Sequence, residues 1–332
     1  MNADFHTSEY HNQLEAAKRF IMQYNDFLVV SHIQPDGDAA SSTYAVGWML
    51  KQLGKSFTLI NEGPMPDKFN YLWGSDQTAD FSTFQPNRKF QNVICVDCAD
   101  FSRIGKVSSL FDKECLLLNI DHHPTNDAFG SFNVIHAGAA ATVQILYDLA
   151  VRLHIPPSLT FGECIYTGLL TDTGGFRYAN TSPEVLQIAA DLLRIGVQGA
   201  VLAEQVLERM TFSQINLLQK TLGTLSFSHN RQVAWVSVRL EDIAESGASS
   251  EDLEGLVNYP RNVDGVEVGM LFKQRDAGTV KVSLRSAGKV DVSKIAQSLG
   301  GGGHVRASGC TINGSMEEAI ATMVKEVGKA FE

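Results

Sequence analysis

Basic charge is scarce in this sequence. Its 332 residues carry 27 Lys and Arg against 37 Asp and Glu, a formal net charge of −10. A protein that coats long nucleic acid needs a broad basic face, so the balance argues against long-duplex binding. It leaves room for a small anionic substrate held by a local basic cluster or by metal ions. Cysteine is sparse as well. Cys95, Cys98, Cys115, Cys164 and Cys310 are odd in number and sit mostly in apolar runs, so they form no disulfide framework and read as reduced, intracellular thiols. No apolar run approaches the ~18 residues that cross a bilayer. The opening stretch MNADFHTSEYHNQLEAAKRF lacks the basic-then-apolar layout of a signal peptide. The expectation is a cytoplasmic chain without membrane association. Internal repeats and low-complexity tracts are missing too. What remains is ordinary globular composition, 44% hydrophobic and 19% charged, at a length that predicts two domains of roughly 150 residues each.

The order of apolar patterns predicts an α/β fold. A helical period runs from about Ser8 to Tyr24, with Leu14, Ala17, Phe20, Ile21 and Tyr24 on one face. Buried strands are expected at Phe27–Ser31, Ser56–Ile60, Asn92–Val96 and Leu116–Ile120, with helices at about Ala39–Leu53 and Ser102–Leu110. Continuous rather than alternating apolar runs point to a parallel sheet with helices on both faces. From Ala139 to about Gln219 the pattern is helical. Beyond Thr221, strand-like runs at Thr224–Ser228, Val233–Val238, Val266–Phe272 and Thr279–Leu284 predict a mainly antiparallel sheet, with helices at about Val292–Leu299 and Met316–Phe331. The expected organisation is a first domain at 1–199, a helical connector at 200–222 and a smaller α/β domain at 223–332.

Polar residues of one chemical kind recur at the strand ends. His32, Asp36 and Asp38 follow the first strand in SHIQPDGD, Asp97 follows QNVICV, and Asp121, His122 and His123 follow LLLNI. In an open parallel sheet the carboxyl ends of the strands gather the site, so these three groups should converge. Asp172, in TDTGGF at the end of a helical pattern, joins them only through the tertiary fold. Two like charges ~4 Å apart repel by about 4 kcal/mol at an effective dielectric of 20. Four aspartates in one pocket therefore call for cations, and two divalent ions supply the charge. An oxygen-and-imidazole donor set without thiolate favours Mn2+, with Mg2+ or Co2+ as alternatives. Any one aspartate after a strand reads equally well as a helix cap; the ordered set does not.

These motifs resemble the DHH phosphoesterase family: SHIQPDGD (Ser31–Asp38), the strand-end Asp97, DHH (Asp121–His123) and TDTGGF (Thr171–Phe176), with VSLRS (Val282–Ser286) and GGGGHVRASG (Gly300–Gly309) resembling the family's associated C-terminal domain. The similarity spans nearly the whole chain and points to the branch of bifunctional oligoribonucleases and 3′-phosphoadenosine 5′-phosphate (pAp) phosphatases, the nanoRNases. It implies one metal on His32, Asp36 and Asp97 and a second on Asp38, Asp97, His122 and Asp172, with Asp97 bridging. It further implies a phosphate-facing, non-ligating role for His123, with Asp121 behind it. One departure is Ser41-Ser42, where the family usually has Gly-Ser.

In the C-terminal part, Val280, Val282 and Leu284 alternate with Lys281, Ser283 and Arg285, a half-buried strand with a polar face. Arg285 can stack on a base or fork onto phosphate. Gly301, Gly302 and Gly303 allow close approach of backbone to an anion, and His304 and Arg306 follow them. With Ser286 these residues are the expected substrate contacts. The activity that the resemblance implies is hydrolysis of very short RNA, as an exoribonuclease, and of pAp to AMP and phosphate. The alternatives are a cyclic or linear dinucleotide (c-di-AMP, pApA) phosphodiesterase, a pyrophosphatase or exopolyphosphatase, and a non-catalytic nucleotide-binding regulator. A homodimer is compatible with the sequence. Cys95 and Cys98 form a C-x2-C without a second pair, so a zinc or redox role is set aside. Trp48, Trp73 and Trp235 read as packing residues.

Overall fold

Strands buried on both faces carry apolar side chains at every position, and that pattern builds the first sheet. The computed structural model describes residues 8–249 and 251–331, and the chain divides after Arg209 into two compact units. In the first unit, α1 (Ser8–Gln23) precedes β1 (Phe27–Val30), α2 (Gly37–Gln52), β2 (Phe57–Asn61), β3 (Thr78–Asp80), β4 (Phe90–Val96), β5 (Phe111–Asp121) and β6 (Phe132–Ile135). Helices α3 (Thr142–Arg152), α4 (Leu159–Asp172), α5 (Pro183–Arg194) and α6 (Gly199–Ala203) follow, and a π turn at Glu204–Glu208 ends the unit. The six strands lie in the order β3-β2-β1-β4-β5-β6, and every pairing is parallel. Alternate residues of β1 feed opposite cores. Phe27 and Val29 pack with α1 to α6 on one side; Leu28 and Val30 pack on the other with Ile104 and Val107. This second face is covered by the helical segment expected near Ser102–Leu110, which is a 3-10 segment over Phe101–Leu110 broken at Gly105 (φ +69°). Strand order reverses between β1 and β4, so a crevice opens at their carboxyl ends.

The second unit starts with α7 (Phe212–Leu222) and continues through β7 (Ser226–Ser228), β8 (Val233–Val238), α8 (Leu240–Ser246), α9 (Asn258–Arg261), β9 (Val268–Asp276), β10 (Thr279–Ser286), α10 (Val292–Ser298), β11 (Gly302–His304), β12 (Ala307–Asn313) and α11 (Met316–Gly328). Its sheet runs β11-β12-β10-β9-β8-β7. All pairings are antiparallel except β8 with β9, which are parallel. A parallel pair needs a long crossover, and the segment holding α8 and α9 provides it. Val280, Val282 and Leu284 face one core with α10 and α11, while Leu271 and Val236 face a second core on the opposite side. Among the described residues, no single helix is long and apolar enough to cross a membrane.

Candidate metal centre

Three loops leave the carboxyl ends of β1, β4 and β5 at the point where strand order reverses, and each delivers part of one constellation. After β1 the backbone of His32 is fixed by Asn61 at the end of β2, whose Nδ2 donates to the His32 carbonyl (2.8 Å) while its Oδ1 accepts from the Ser31 amide (2.9 Å). Asp36 then caps α2, accepting from the amides of Asp38 and Ala39 at 3.1 Å each. Asp97 follows β4 in the left-handed region (φ +58°), a conformation that Asp tolerates better than most residues. Asp121 ends β5, and His122 and His123 follow it.

Asp38 and Asp172 meet through helix packing. Helices α2 and α4 approach closely at two glycines. A Cβ at Gly37 would lie 2.2 Å from the Thr171 side chain, and one at Gly168 would lie 2.6 Å from Val143 and 2.9 Å from the Asp38 carboxylate. The C-terminal turn of α4 therefore carries Asp172 to His122, with Oδ2 3.4 Å from Nε2. Helix α3 has no side-chain cap of its own at Ala141. Its first amides point instead at Asp38: Thr142 N donates to Oδ2 (2.6 Å) and Val143 N to Oδ1 (3.1 Å). The positive end of that helix holds the carboxylate in place. The Thr142 hydroxyl also donates to Asp97 Oδ1 (3.0 Å).

The ligand-type atoms fall into groups of metal-binding size: His32, Asp36 and Asp97; Asp38, His122 and Asp172; and Asp97, His122 and His123, each with its atoms within 4.8 Å of one another. His32 Nε2 lies 3.5 Å from Asp97 Oδ2 and 3.8 Å from Asp36 Oδ2, and His122 Nε2 lies 3.7 Å from Asp97 Oδ1. Asp97 thus faces both sets. Each of these two histidines has its Nδ1 against a main-chain carbonyl, Ile33 O at 2.8 Å and Ala139 O at 3.3 Å. An Nδ1–H donated there leaves Nε2 as the ligating atom, the usual support of a metal-bound imidazole. The donor set fits divalent ions: carboxylate oxygens and imidazole nitrogens only, aimed at shared points, with their other faces held by protein.

His32, Asp38 and Asp97 are buried, at 3%, 0% and 2% exposure, whereas His122, His123 and Asp172 are half-buried and Asp36 is exposed. The assembly is closed below and open above. Desolvation and the neighbouring Asp38, Asp36 and Asp97 charges push the Asp172 carboxyl well above the usual range. Desolvation, then Asp97 and Asp36, do the same to Asp38. Burial opposes charge on His32, yet Asp36 and Asp97 pull its pKa up to about 11. Protein groups alone therefore leave the carboxylates under-compensated, and the cluster retains positive charge where it can.

A linked chain orients His123. Its Nδ1 lies 2.7 Å from Asp121 Oδ1, and the Asn126 Nδ2 donates both to Asp121 Oδ2 (2.7 Å) and to the Cys98 carbonyl (2.8 Å). Asp121 is fully buried and sits behind His123. Against desolvation, Asp121 raises the pKa of His123. Thr142, Asn126 and Asn61 do not stand out in the sequence, because their residue types are common and only the fold gives them these partners. Ser41 is fully buried, and its hydroxyl makes no hydrogen bond among the described residues.

The expected substrate contacts all lie in the second unit. Arg285 pairs with Ala307, and Ala307 with His304, so Arg285 and His304 share one row of the sheet. Arg306 lies in the exposed β11–β12 turn, near Gly288. Ser286 is different. It is buried, and its hydroxyl donates to Glu267 (3.0 Å), which makes it part of the loop's own framework. Gly302 and Gly303 belong to strand β11, with Gly301 just before it, rather than to a free loop. A Cβ at Gly301 would meet Gly309 O at 2.2 Å and one at Gly303 would meet Ala307 O at 2.6 Å, while Gly302 has open space.

Comparison with known proteins agrees with this anatomy. Residues 26–169 match the DHH family, N-terminal domain, and residues 230–332 match the DHHA1 domain. Over 303 residues the chain is 35% identical to the bifunctional oligoribonuclease and PAP phosphatase NrnA of Thermus thermophilus, covering 90% of this chain and 88% of that protein. It is 26% identical over 321 residues to the Bacillus subtilis protein of the same name, covering 93% and 97%. The crystal structure of an exopolyphosphatase-related protein from Bacteroides fragilis matches with a TM-score of 0.88 at 26% identity, over 96% of each chain. The chain belongs to the DHH family of phosphoesterases, in the branch of relatives named bifunctional oligoribonuclease and PAP phosphatase, with a DHHA1 domain as its second part.

Proposed function

We propose that this chain is an exoribonuclease for very short RNA that also hydrolyses pAp to AMP and phosphate. The observation that carries the reading is the convergence of His32, Asp36 and Asp97 beside Asp38, His122 and Asp172 at the strand-order reversal, in a chain 35% identical to a named oligoribonuclease and PAP phosphatase. His32, Asp36 and Asp97 would hold one divalent ion, and Asp38, Asp97, His122 and Asp172 the other, with Mn2+ favoured by the mixed oxygen and imidazole donors. When bound, such a pair supplies Lewis-acid activation of water and neutralises charge on the phosphoryl oxygens.

The remaining work falls to the protein. His123, held through Nδ1 by Asp121 with Asn126 behind it, donates a proton to a phosphate oxygen or to the departing alkoxide. Asp97 keeps the two ligand sets in register. Residues 1–199 are the catalytic part, 200–222 the connector and 223–332 the substrate reader, whose Arg285, His304 and Arg306 take the nucleotide, with Gly302 leaving space beside them. The five cysteines, all free, suit a reducing cytoplasm.

The test is a Mn2+-supplemented panel of pAp, RNA dimers to pentamers, cyclic dinucleotides and pyrophosphate. Turnover of pAp and the short RNAs is expected. Consumption of pyrophosphate alone would leave the metal centre standing and remove the nucleotide assignment.

A further inference from the structure

Two lysines on the second unit's sheet face each other with no acidic partner among the described residues. The β9–β10 register places Lys273 directly opposite Lys281, with Thr311 next to Lys281 on β12. Like charges directly opposite one another destabilise a sheet. Lysines on an edge strand guard against stray pairing, but β9 and β10 are both interior strands, so that explanation fails. The charged neighbours acting on the pair are cations. After desolvation, Lys281 and Arg275 hold the Lys273 ammonium below its usual value, and Arg275 does the same to Lys281. Arg275 itself acts on the adjacent Asp276, so the two lysines carry the uncompensated charge.

The same face continues towards the expected nucleotide contacts. With Val280, Val282 and Leu284 turned to the core, Lys281, Ser283 and Arg285 lie on the other face. The register forms three rows: Lys273, Lys281 and Thr311; then Leu271, Ser283, Gly309 and Gly302; then Gly269, Arg285, Ala307 and His304. On β10, β12 and β11 a cationic row stands at each end of a floor of small residues, while on β9 the buried Leu271 takes the same face into the second core. Lys281 and Arg285 are about 13–14 Å apart along the strand at ordinary strand rise. The two phosphates of pAp sit on one ribose and cannot bridge that distance, whereas an oligoribonucleotide of three or more residues does.

We propose that Lys273 and Lys281 form a second phosphate position, which takes a distal backbone phosphate of short RNA and sets the preference for oligonucleotides over pAp. This rests on the reading under Proposed function. Lysine suits the task as a compact charge that needs no fixed fork geometry.

The experiment compares the full-length, Mn2+-loaded wild type with K273Q/K281Q on an RNA trimer and on pAp. The ratio of kcat/KM for trimer to that for pAp is expected to fall about tenfold, through KM. The log–log salt slope for the trimer should become shallower by about 0.7 for each phosphate that the lysines no longer neutralise. Because repulsion is relieved, Tm should hold or rise. K273R/K281R, which keeps the charge, should restore the ratio. An unmoved ratio in K273Q/K281Q overturns the proposal alone, as does an Arg pair that behaves like the Gln pair. A wild type that hydrolyses neither substrate overturns the functional reading, and the proposal falls with it.

Discussion

Buried carboxylates are handled in opposite ways by the two units. In the second, Glu267 is 7% exposed, and its Oε1 accepts from the Ser286 hydroxyl and from the amides of Gly288, Lys289 and Val290 at 2.6–3.1 Å. Burial alone would raise its pKa, but the converging donors hold it below the usual range. One negative charge has been answered completely by backbone dipoles. In the first unit, Asp38 receives the α3 amides and Asp97 the Thr142 hydroxyl, and yet Asp38 and Asp172 remain pushed upward by their neighbours. Where a protein can satisfy a carboxylate with its own amides, the carboxylate is architecture. Where several are packed together beyond what the amides can compensate, the deficit marks a candidate site for cations.

The sharpest way to break that contrast is Asp97→Ala. With both ligand sets losing their common member, turnover should fall by about three orders of magnitude or more, the scale of several kcal/mol of metal catalysis. Bound metal measured by elemental analysis should fall with it, and full activity would refute the two-site assignment. Next comes Thr142→Val, which removes the hydroxyl behind Asp97 and keeps the shape. Mn2+ affinity should weaken about 10- to 100-fold, read by metal titration, with recovery in Thr142→Ser; unchanged affinity would make Thr142 a mere helix residue. Glu267→Gln tests the other side. Loss of the charge-assisted bonds should cost about 1.5–3 kcal/mol in urea unfolding, with metal content unchanged. A loss of metal would show that the two carboxylate arrangements are not independent.

The last effect is a slope with pH. His32, with a folded pKa of about 11 against an ordinary 6.5, contributes stability that is complete below pH 6.5 and lost as pH rises towards 11. Asp38 and Asp172, also raised, lose theirs in the same direction. Asp97, held below its ordinary 3.8 by His32 against the pull of desolvation, acts only at acid pH. Thermal melting of metal-stripped protein should therefore drift downward between pH 7 and 9, and added Mn2+ should flatten or reverse the drift. A rising curve without metal would contradict the account of an under-compensated cluster.

The strands that read clearly in the sequence are those whose burial is independent of their neighbours. β1, β4 and the second half of β5 are apolar at successive positions because both faces are covered. The short β3 and β6 give no such signal, since Thr78–Asp80 is half-buried throughout and only Val134 of β6 is fully buried. β11 is hidden because glycine marks a turn by default, whereas here Gly301 and Gly303 are demanded by the backbone of β12. The site follows the same logic. Strand-end residues can be placed by topology alone. The arrival of Asp172 depends on the α2–α4 contact at Gly37 and Gly168, and the roles of Thr142 and Asn126 arise from backbone directions that composition does not record.

The left-handed backbone at Asp97 limits how this protein can be silenced. Most replacements would meddle with the turn as well as the charge. Among residues that keep a side chain of this size, asparagine is the exception, since it accepts that torsion as aspartate does and exchanges one oxygen for a nitrogen. A lineage that kept the scaffold but abandoned hydrolysis would have its easiest exit there, ending as an intact receptor with a quiet centre.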